Sequence, residues 1–237
     1  MQSLTRSDRV VVLTGAGISA ESGIPTFRDA MDGLWSQYEP EDLATLSAFK
    51  KNPKLVLDWY EWRIKAFVDR AIPNPAHMAL VRWEEYFDQF TLITQNVDGL
   101  HLKAGNKKVI ELHGNIKRMK CIGHAHKSGW VRKGDEIPLC LKCNSMLGPD
   151  IVFFNEQIDS ENLQAANRAV RSCDIFFAIG TSGLVYPAAG FIEQAQVLGA
   201  KTFVVNTDPP QRMGRDDSTV HLRGKAGEIL PQIVLEK

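Results

Sequence analysis

The apolar positions of this chain fall into short runs rich in β-branched residues, and each run stops abruptly at a small, polar loop. Such runs are typical of strands that are buried on both faces of a parallel sheet. Four of them occupy residues 10–13, 91–93, 175–179 and 202–205. Amphipathic segments lie between them, at residues 54–71, 76–87 and 160–171. This alternation of strands and crossover helices predicts a doubly wound α/β fold with a parallel, Rossmann-like sheet.

Two segments depart from this pattern. Residues 116–149 hold clustered Cys and His, several Gly and Pro, and too few apolar residues for an independent core. We therefore expect a small module there that something other than hydrophobic burial holds together. Residues 29–71 predict a second insert, which is helical.

Composition narrows the class of protein. Apolar residues make up 44% and charged residues 24% of the chain, which is ordinary for a globular protein. The 28 basic residues balance the 28 acidic ones. The chain therefore lacks the net positive charge by which most duplex-binding proteins are attracted to nucleic-acid phosphates. We expect no nucleic-acid partner. No apolar run reaches the roughly 18 residues of a membrane span. We expect a cytoplasmic, monomeric enzyme with no membrane anchor.

A glycine-rich loop follows the first predicted strand directly. It reads Gly15-Ala16-Gly17-Ile18-Ser19, and its backbone amides could approach a pyrophosphate at a helix start. The third glycine of the usual dinucleotide fingerprint is absent at the expected spacing. Taken alone, the loop is interpreted equally well as a plain tight turn.

Five motifs in one order carry more weight than that loop alone. They are residues 15–19 (GAGIS), 23–28 (GIPTFR), 94–101 (TQNVDGLH), 111–115 (ELHGN) and 180–182 (GTS). With these motifs the sequence resembles the sirtuin family of NAD-dependent protein-lysine deacylases, over residues 9–227. The resemblance implies a Rossmann-like NAD-binding domain, a helical insert that contributes to an acyl pocket, and a zinc-binding module. Their expected boundaries are residues 1–28, 72–115 and 150–237 for the domain, 29–71 for the insert and 116–149 for the module.

The resemblance also assigns residues to the co-substrate NAD. They comprise the glycine loop, a mobile cofactor loop after it, and polar residues that follow later strands. The implied NAD-binding residues are Gly15, Ala16, Gly17, Ile18, Thr26, Phe27, Arg28, Gln95, Asn96, Asp98, Gly180, Thr181, Ser182, Asn206 and Ala226.

The chemistry of this family suits the residue types present. Loss of nicotinamide leaves an electrophilic ribose that the amide oxygen of an acylated lysine can capture if it is held in line. A neutral imidazole with a pKa of about 6.5 can then take a proton from a ribose hydroxyl. The resemblance implies His113 as this base and Asn96 as a second catalytic residue. The expected products are free lysine, nicotinamide and O-acyl-ADP-ribose. His101 is interpreted as structural, because one base suffices.

Two residues of the helical insert indicate an acyl preference. Tyr60 and Arg63 stand three apart and so share one helical face. The spacing is similar to the Tyr-x-x-Arg of the class III desuccinylases and demalonylases, bacterial members included, where phenol and guanidinium bind a distal carboxylate. Ala44, in a small-residue stretch like that of the subgroup, and Thr26, where other members have Asp, favour the same interpretation. The alternative is a solvated arginine beside a core tyrosine. Removal of acetyl groups is expected to persist.

Acylated lysines of protein substrates are the expected partners, bound as an added strand that reads little sequence. The strand is expected between residues 183–186 and the loop around Asn155. Asn155 stands where the family typically has Gly, and Asn tolerates positive φ better than most residues. The implied substrate-binding residues are Tyr60, Arg63, Ala44, Val152, Phe153, Phe154 and Val185.

Three of the four cysteines cluster within the predicted module, unlike the framework of a secreted disulfide protein. The family usually has two C-x-x-C pairs. Here Cys140 and Cys143 form one pair, whereas the other reads Cys121-Ile-Gly-His124 and is followed by His126. We predict a structural zinc ion bound by Cys121, His124, Cys140 and Cys143, since the two-residue spacing favours His124 over His126. The alternative is an eroded site whose loops are held by packing alone.

Two other functions remain open. A sirtuin-like mono-ADP-ribosyltransferase would pass the ribosyl group to a protein side chain, but His113 and the predicted acyl pocket argue against it. A non-catalytic NAD-sensing or zinc-dependent interaction module is favoured only by the divergent first cysteine pair.

Overall fold

The main sheet of this protein is parallel throughout. The computed structural model describes residues 4–25, 38–181, 188–207 and 219–235. The strands in chain order are β1 (Arg9–Thr14), β2 (Gln89–Thr94), β3 (Val109–Glu111), β4 (Gly114–Cys121), β5 (Lys127–Gly129), β6 (Leu147–Ile151), β7 (Ile175–Ile179), β8 (Lys201–Asn206) and β9 (Thr219–Arg223). The main sheet has the order β3-β2-β1-β7-β8-β9. This is the strand order of the Rossmann fold, in which a ligand crevice opens at the carboxyl ends of the strands where the order reverses.

Helices cover both faces of this sheet. In chain order they are α1 (Pro40–Leu43), α2 (Leu46–Lys51), α3 (Pro53–Arg63), α4 (Pro75–Tyr86), α5 (Leu100–Ala104), α6 (Ser160–Ser172), α7 (Phe191–Val197) and α8 (Ala226–Ile229). Successive side chains of β1 point to opposite faces. Val10 and Val12 pack in one core with α4 and α8, whereas Val11 and Leu13 pack in another with α6 and α7. The central strand is thus buried on both sides, as its apolar run predicts.

The predicted doubly wound α/β fold is confirmed. All four predicted strands form, and the three amphipathic segments become α3, α4 and α6. Segment 54–71 differs in detail, because α3 is followed by a π-helical turn over Ile64–Val68. The edge strands β3 and β9 were not predicted. β3 is only three residues long and the three central residues of β9 are not buried, so neither has the continuous apolar run of a central strand.

An asparagine joins the start of α4 to the glycine loop. Asn74 Oδ1 accepts hydrogen bonds from the backbone amides of Ala76 (2.9 Å) and His77 (3.4 Å), and Pro75 occupies the first turn. Asn74 therefore acts as an N-cap, as its sequence position predicts. Its amide nitrogen donates to the carbonyl oxygen of Ile18 at 2.7 Å. The cap consequently fixes the glycine loop as well as the helix.

The helical insert and the small module share one hydrophobic core. The module is an antiparallel sheet in the order β5-β4-β6, spanning 114–151, slightly more than the predicted boundaries. Phe49 and Trp59 from the insert pack with Met119 and Leu147 from the module, and all four are buried. The expectation that burial does not hold the module is therefore wrong, because its apolar partners come from a segment that is distant in sequence.

A buried arginine strengthens this contact. The side chain of Arg132 is 0% exposed and donates to Asp58 Oδ1 at 2.5 Å and to Glu61 Oε2 at 3.1 Å. Both carboxylates belong to α3, whereas Arg132 belongs to the module. Two charge-assisted hydrogen bonds thus fix the module against α3. In the described ranges, no helix combines the length and the apolar character that crossing a bilayer requires.

Candidate NAD and acyl-lysine site

The loops that follow β1 and β7 touch where the strand order reverses. Gly15 donates its amide to the carbonyl oxygen of Ile179 (3.0 Å), and Gly17 donates to that of Gly180 (2.8 Å). A Cβ at Gly15 would lie 2.7 Å from the Gly180 oxygen, and one at Gly180, where φ is +59°, would collide with the backbone nitrogen of Ile18. Only glycine permits this approach. The first loop is therefore more than a plain tight turn. Its residues Gly15 and Gly17 pack against Gly180 of the second loop, and together they form the floor of the crevice, which we call the glycine floor.

Hydrogen bonds that involve Ser19 join Asn96 and Asp98 to the glycine floor. Asn96 Nδ2 donates to the Gly15 carbonyl oxygen (3.1 Å) and to Ser19 Oγ (3.1 Å), and the Ser19 hydroxyl donates to Asp98 Oδ2 (2.8 Å). Both hydrogens of the Asn96 amide are thus committed, so Oδ1 is the atom that can accept a hydrogen bond from a ligand. Burial raises the pKa of Asp98, although hydrogen bonds and the charge of Arg63 oppose this.

Four further predicted residues lie between the ends of β2, β7 and β8 and the start of α8. Gln95 Nε2 donates to Thr181 Oγ1 at 3.0 Å, and Asn206 Nδ2 donates to the Thr181 carbonyl oxygen at 3.2 Å. Ala226 is buried at the start of α8, which contacts the helical turn over Ala16–Ile18. The polar ends of β2, β7 and β8 are therefore joined by side-chain hydrogen bonds. A crevice with a glycine floor and amide side chains around it fits a dinucleotide such as NAD.

His113 follows β3 and bonds to the same loop. Its Nδ1 lies 3.0 Å from the carbonyl oxygen of Gln95, the neighbour of Asn96. Since a carbonyl oxygen only accepts, Nδ1 carries the ring hydrogen, and Nε2 keeps the lone pair of the neutral ring. Burial lowers the pKa of His113, and the bond to Gln95 opposes this only in part. The ring is consequently neutral near pH 7, which is the form that a general base needs.

The predicted substrate loop starts at the histidine and ends at the helical insert. The amide of Val152 donates to the His113 carbonyl oxygen (2.9 Å), and that of Phe154 donates to the Ala44 carbonyl oxygen (2.8 Å). Phe153 is buried between them, whereas Phe154 is 52% exposed. These backbone bonds place Val152 beside His113 and Ala44 beside Phe154.

Asn155 adopts the left-handed backbone conformation, with φ at +65°. The turn is held by Glu156, whose carboxylate accepts from the amide of Phe153 (2.9 Å) and from Lys120 Nζ (2.7 Å). The expectation that asparagine supports a positive φ here is therefore confirmed.

Replacing Asn155 with alanine should lower the free energy of unfolding by about 1 kcal/mol, because alanine pays the full steric cost of a left-handed φ. Asn155→Gly should change it by less than half of that. Urea titrations of both variants measure the difference. Gln157→Ala, at an exposed neighbour, is the matched control and should leave stability unchanged. Equal stabilities of the alanine and glycine variants at 155 would contradict the prediction.

Arg63 and Tyr60 point to the core between the insert and the site. Tyr60 is 2% exposed, and its ring packs edge-on against Trp59 (4.6 Å) and Phe153 (6.4 Å). The Arg63 guanidinium lies 4.9 Å from the centroid of the Trp59 ring. Burial lowers the pKa of Arg63, while Tyr60 and Asp98 raise it. Arg63 is thus partly buried and close enough to Asp98 for their charges to interact, and Tyr60 is a core residue, as the alternative interpretation expected.

Three cysteines and one histidine converge in the module, but the histidine is His126 and not the predicted His124. The four ligand atoms of Cys121, His126, Cys140 and Cys143 all lie within 4.8 Å of one another. The Cys143 and Cys121 sulfurs are 3.6 Å apart, and Cys140 Sγ is 3.5 Å from His126 Nδ1. Tetrahedral zinc with Zn–S bonds of about 2.3 Å requires edges of about this length, so the cluster fits a structural zinc ion with no open position.

The correction to His126 has a backbone cause. The Cys121 amide donates to the His126 carbonyl oxygen at 3.0 Å, so the two residues face each other where β4 turns into β5. Residues directly opposite each other in such a pair put their side chains on the same face. His124 lies in the exposed turn between them, which is closed by Ala125 with a positive φ of 53°. Spacing along the chain favoured His124, but the hairpin pairing selects His126.

His126→Ala should therefore lose zinc, whereas His124→Ala should retain about one zinc ion per chain, as the wild type does. Inductively coupled plasma mass spectrometry of the dialysed proteins measures the metal content. The two variants remove the same group two residues apart, so each serves as the control for the other. Loss of zinc from the His124 variant alone would restore the original assignment.

Some predicted site residues lie outside the described residues, and the structure gives one that was not predicted. The former are Thr26, Phe27, Arg28, Ser182 and Val185, together with the strand-binding segment 183–186. The addition is Ser19, which links Asn96 to Asp98. Its place at the end of the glycine motif was the available signal, since a hydroxyl there can meet the loop after β2.

Comparison with known proteins agrees with this geometry. NAD-dependent protein deacylases from Pyrococcus furiosus and Aquifex aeolicus are 46% and 45% identical to this chain, and one from Pseudomonas putida is 40% identical. The alignments cover 98%, 94% and 98% of this chain and 94%, 93% and 91% of the respective relatives.

Solved structures give the same result. A Sir2 homologue in complex with NAD matches with a TM-score of 0.85 at 38% identity, covering 98% of this chain and 88% of that one. A Sir2 mutant with a p53 peptide and NAD matches with a TM-score of 0.78 at 32% identity, covering 95% and 91%. The Sir2 family model matches residues 15–187, which is more than half of the sequence. The chain belongs to the Sir2 family.

Proposed function

We propose that this protein is an NAD-dependent protein-lysine deacylase in which His113 is the general base. The observation that carries the proposal is the bond from His113 Nδ1 to the Gln95 carbonyl oxygen, which leaves Nε2 without a hydrogen and ties the ring to the residue that precedes Asn96. Relatives named NAD-dependent protein deacylases support the reaction, and a Sir2 complex that contains a p53 peptide supports protein substrates.

Each residue of the site has one task in this reaction. When bound, NAD supplies an electrophilic ribose carbon and nicotinamide as the leaving group. Asn96 Oδ1 accepts from a ribose hydroxyl and orients the sugar, while Asp98, held by Ser19, binds the carboxamide. His113 Nε2 would take the proton of a ribose hydroxyl, whose oxygen would attack the acyl carbon after the acyl oxygen has replaced nicotinamide on the ribose. The lysine amine would then leave with a proton, and one water molecule would complete the transfer to O-acyl-ADP-ribose. The contact between the two glycine loops fixes the backbone that would bind the NAD phosphates.

The acyl group that this site prefers is acidic. Arg63 is the residue that best fits a distal carboxylate, because its guanidinium is partly buried and charge-assisted bonds are strong there. Tyr60 is 2% exposed and supports Arg63 mainly by packing. Ala44 is small and buried at the point where the insert meets the substrate loop, which leaves room for a longer acyl chain. Succinyl-lysine and malonyl-lysine are therefore the proposed best substrates, with acetyl-lysine a slower one.

A peptide panel tests this proposal. The protein is incubated with NAD and one peptide that carries acetyl, malonyl, succinyl or glutaryl lysine, and both the peptide and a carrier protein are weighed by mass spectrometry. Succinyl and malonyl groups should be removed fastest, and equal rates for all four would contradict the acidic preference. ADP-ribose added to the carrier would favour a transferase. NAD binding without release of nicotinamide from any peptide would favour a sensing module.

A further inference from the structure

Two histidines lie buried beneath the catalytic loops, and the proposed reaction uses neither of them. His77 is in the first turn of α4 and is 0% exposed, and His101 is in α5 and is 2% exposed. Their ring centroids are 4.9 Å apart, with the planes inclined by 51°. His77 Nε2 and His101 Nδ1 are both fully buried and have no hydrogen-bond partner within the part of the chain that the structure describes. Buried polar atoms of this kind are uncommon and need an explanation.

The neighbours of His77 determine where its hydrogen lies. The backbone amide of Asn74 donates to His77 Nδ1 at 3.3 Å, so Nδ1 is an acceptor. Burial lowers the pKa of His77 to about 4, and the ring is therefore neutral. A neutral ring carries one hydrogen, which must lie on Nε2. The unpartnered atom of His77 is thus a donor.

The neighbours of His101 give the opposite result for its unpartnered atom. The Thr14 hydroxyl donates its hydrogen to Thr94 Oγ1 at 2.8 Å, so Thr14 Oγ1 can only accept from His101 Nε2, 2.9 Å away. Burial lowers the pKa of His101 to about 3, which makes this ring neutral as well. Its hydrogen is on Nε2, and its unpartnered Nδ1 is an acceptor.

This chain of donors and acceptors ends at Thr94, next to Asn96. Thr94 Oγ1, which accepts from Thr14, also accepts from the backbone amide of Asn96 at 3.0 Å. A single link is missing, between the donor on His77 and the acceptor on the adjacent ring. We propose that His77 Nε2–H donates to His101 Nδ1, and that this bond makes both histidines positioning residues for Asn96. The proposal rests on the role of Asn96 given above, but not on the acyl preference.

The chain of bonds explains why two histidines occupy an otherwise apolar setting. The carboxyl ends of β1 and β2 carry Thr14 and Thr94, and Thr94 accepts the hydrogen bond that the Asn96 amide donates. The side-chain amide of Asn96 donates hydrogen bonds to Gly15 and Ser19. Backbone and side chain are thus fixed independently, which leaves Oδ1 a single direction in which to meet the ribose.

Nuclear magnetic resonance on the 15N-labelled wild type tests the bond itself. A scalar coupling between His77 Nε2 and His101 Nδ1 across the hydrogen is the expected result, with both rings in the Nε2–H form. Absence of the coupling, or an Nδ1–H form of either ring, would overturn the proposal. This measurement needs no variant and no substrate.

Variants test the positioning role. His101→Leu breaks the chain, whereas His101→Gln can accept from His77 and donate to Thr14. We expect His101→Leu to raise the KM for NAD in nicotinamide exchange about tenfold with little change in kcat, to shift the Asn96 amide resonance and to speed its hydrogen exchange. His101→Gln should restore most of all three.

The control is Leu80→Ala, which truncates an equally buried side chain of α4 outside the chain of bonds. It should lower the melting temperature without moving the KM for NAD or the Asn96 amide. Equal effects of the leucine and glutamine variants at 101, or an unmoved Asn96 amide in His101→Leu, would refute the positioning role. Failure of the proposed function is distinguishable, since it would leave the wild type without nicotinamide exchange while the resonance measurements still decide the inference.

Discussion

His113→Ala is expected to reduce deacylation by about 10²- to 10⁴-fold, the usual contribution of a general base. NAD binding should be retained, because the histidine is tied to the site by its bond to the Gln95 carbonyl oxygen and not by the glycine floor. Steady-state rates with an acylated peptide and isothermal titration with NAD measure the two effects. Unchanged turnover would remove His113 from the role of base.

The acid limb of the pH profile offers a second test of the same residue. Burial holds the pKa of His113 below its ordinary 6.5, and the base form is the neutral one. Activity should therefore rise with pH through a midpoint below 6.5 and be level at pH 7 and above. A midpoint above 6.5 would mean that the protonated ring is stabilised in the site, contrary to the effect of its burial. His221→Ala, at an exposed position of β9, is the control, since its acid limb should coincide with that of the wild type.

Arg63→Met should lower kcat/KM for desuccinylation about 100-fold, which corresponds to about 2.7 kcal/mol, while deacetylation stays within about threefold. The physical reason is that a partly buried carboxylate without its cation is left unpaired, whereas an acetyl group has no charge to pair. The ratio of the two kcat/KM values is the measurement, because it cancels any loss of active protein.

Lys65→Met is the matched control for this experiment. It removes the same charge two residues further along the insert, but from a side chain that is 70% exposed and paired with Glu61. Such a pair contributes little, so the ratio should not change. Equal losses of desuccinylation and deacetylation in Arg63→Met would refute the carboxylate contact and leave Arg63 as a partner of Asp98.

The sequence pattern predicted the fold best where local and global signals agree. The run at residues 175–179 is buried on both faces, so its apolar character alone indicated a central strand. β9 has no such apolar run, because its three central residues are not buried. Its pairing with β8 is visible only in the three-dimensional structure. Asn74 shows the opposite case, since its side chain caps the next residues in sequence and the signal is entirely local.

The candidate site divides in the same way. Only the family resemblance assigned His113, because it follows β3, which the apolar pattern did not predict. The place of Asn96 near the glycine loop was predictable, because it follows a predicted strand and the topology of a parallel sheet brings the strand ends together. His126 was not, because its place in the cluster depends on the hairpin register with Cys121 and on the positive φ of Ala125. The core of the module was missed for a related reason, since Met119 finds its partners in helices about 60 residues earlier.

The guanidinium of Arg132, enclosed between two carboxylates of α3, has a consequence for protein engineering. Replacing the helical insert with that of another protein would separate Arg132 from Asp58 and Glu61 and leave a buried cation without its partners. The helical insert and the small module must therefore be exchanged together in any chimaera. Chimaeras that respect this junction should fold, whereas those cut between the two parts should be recovered mainly as aggregates.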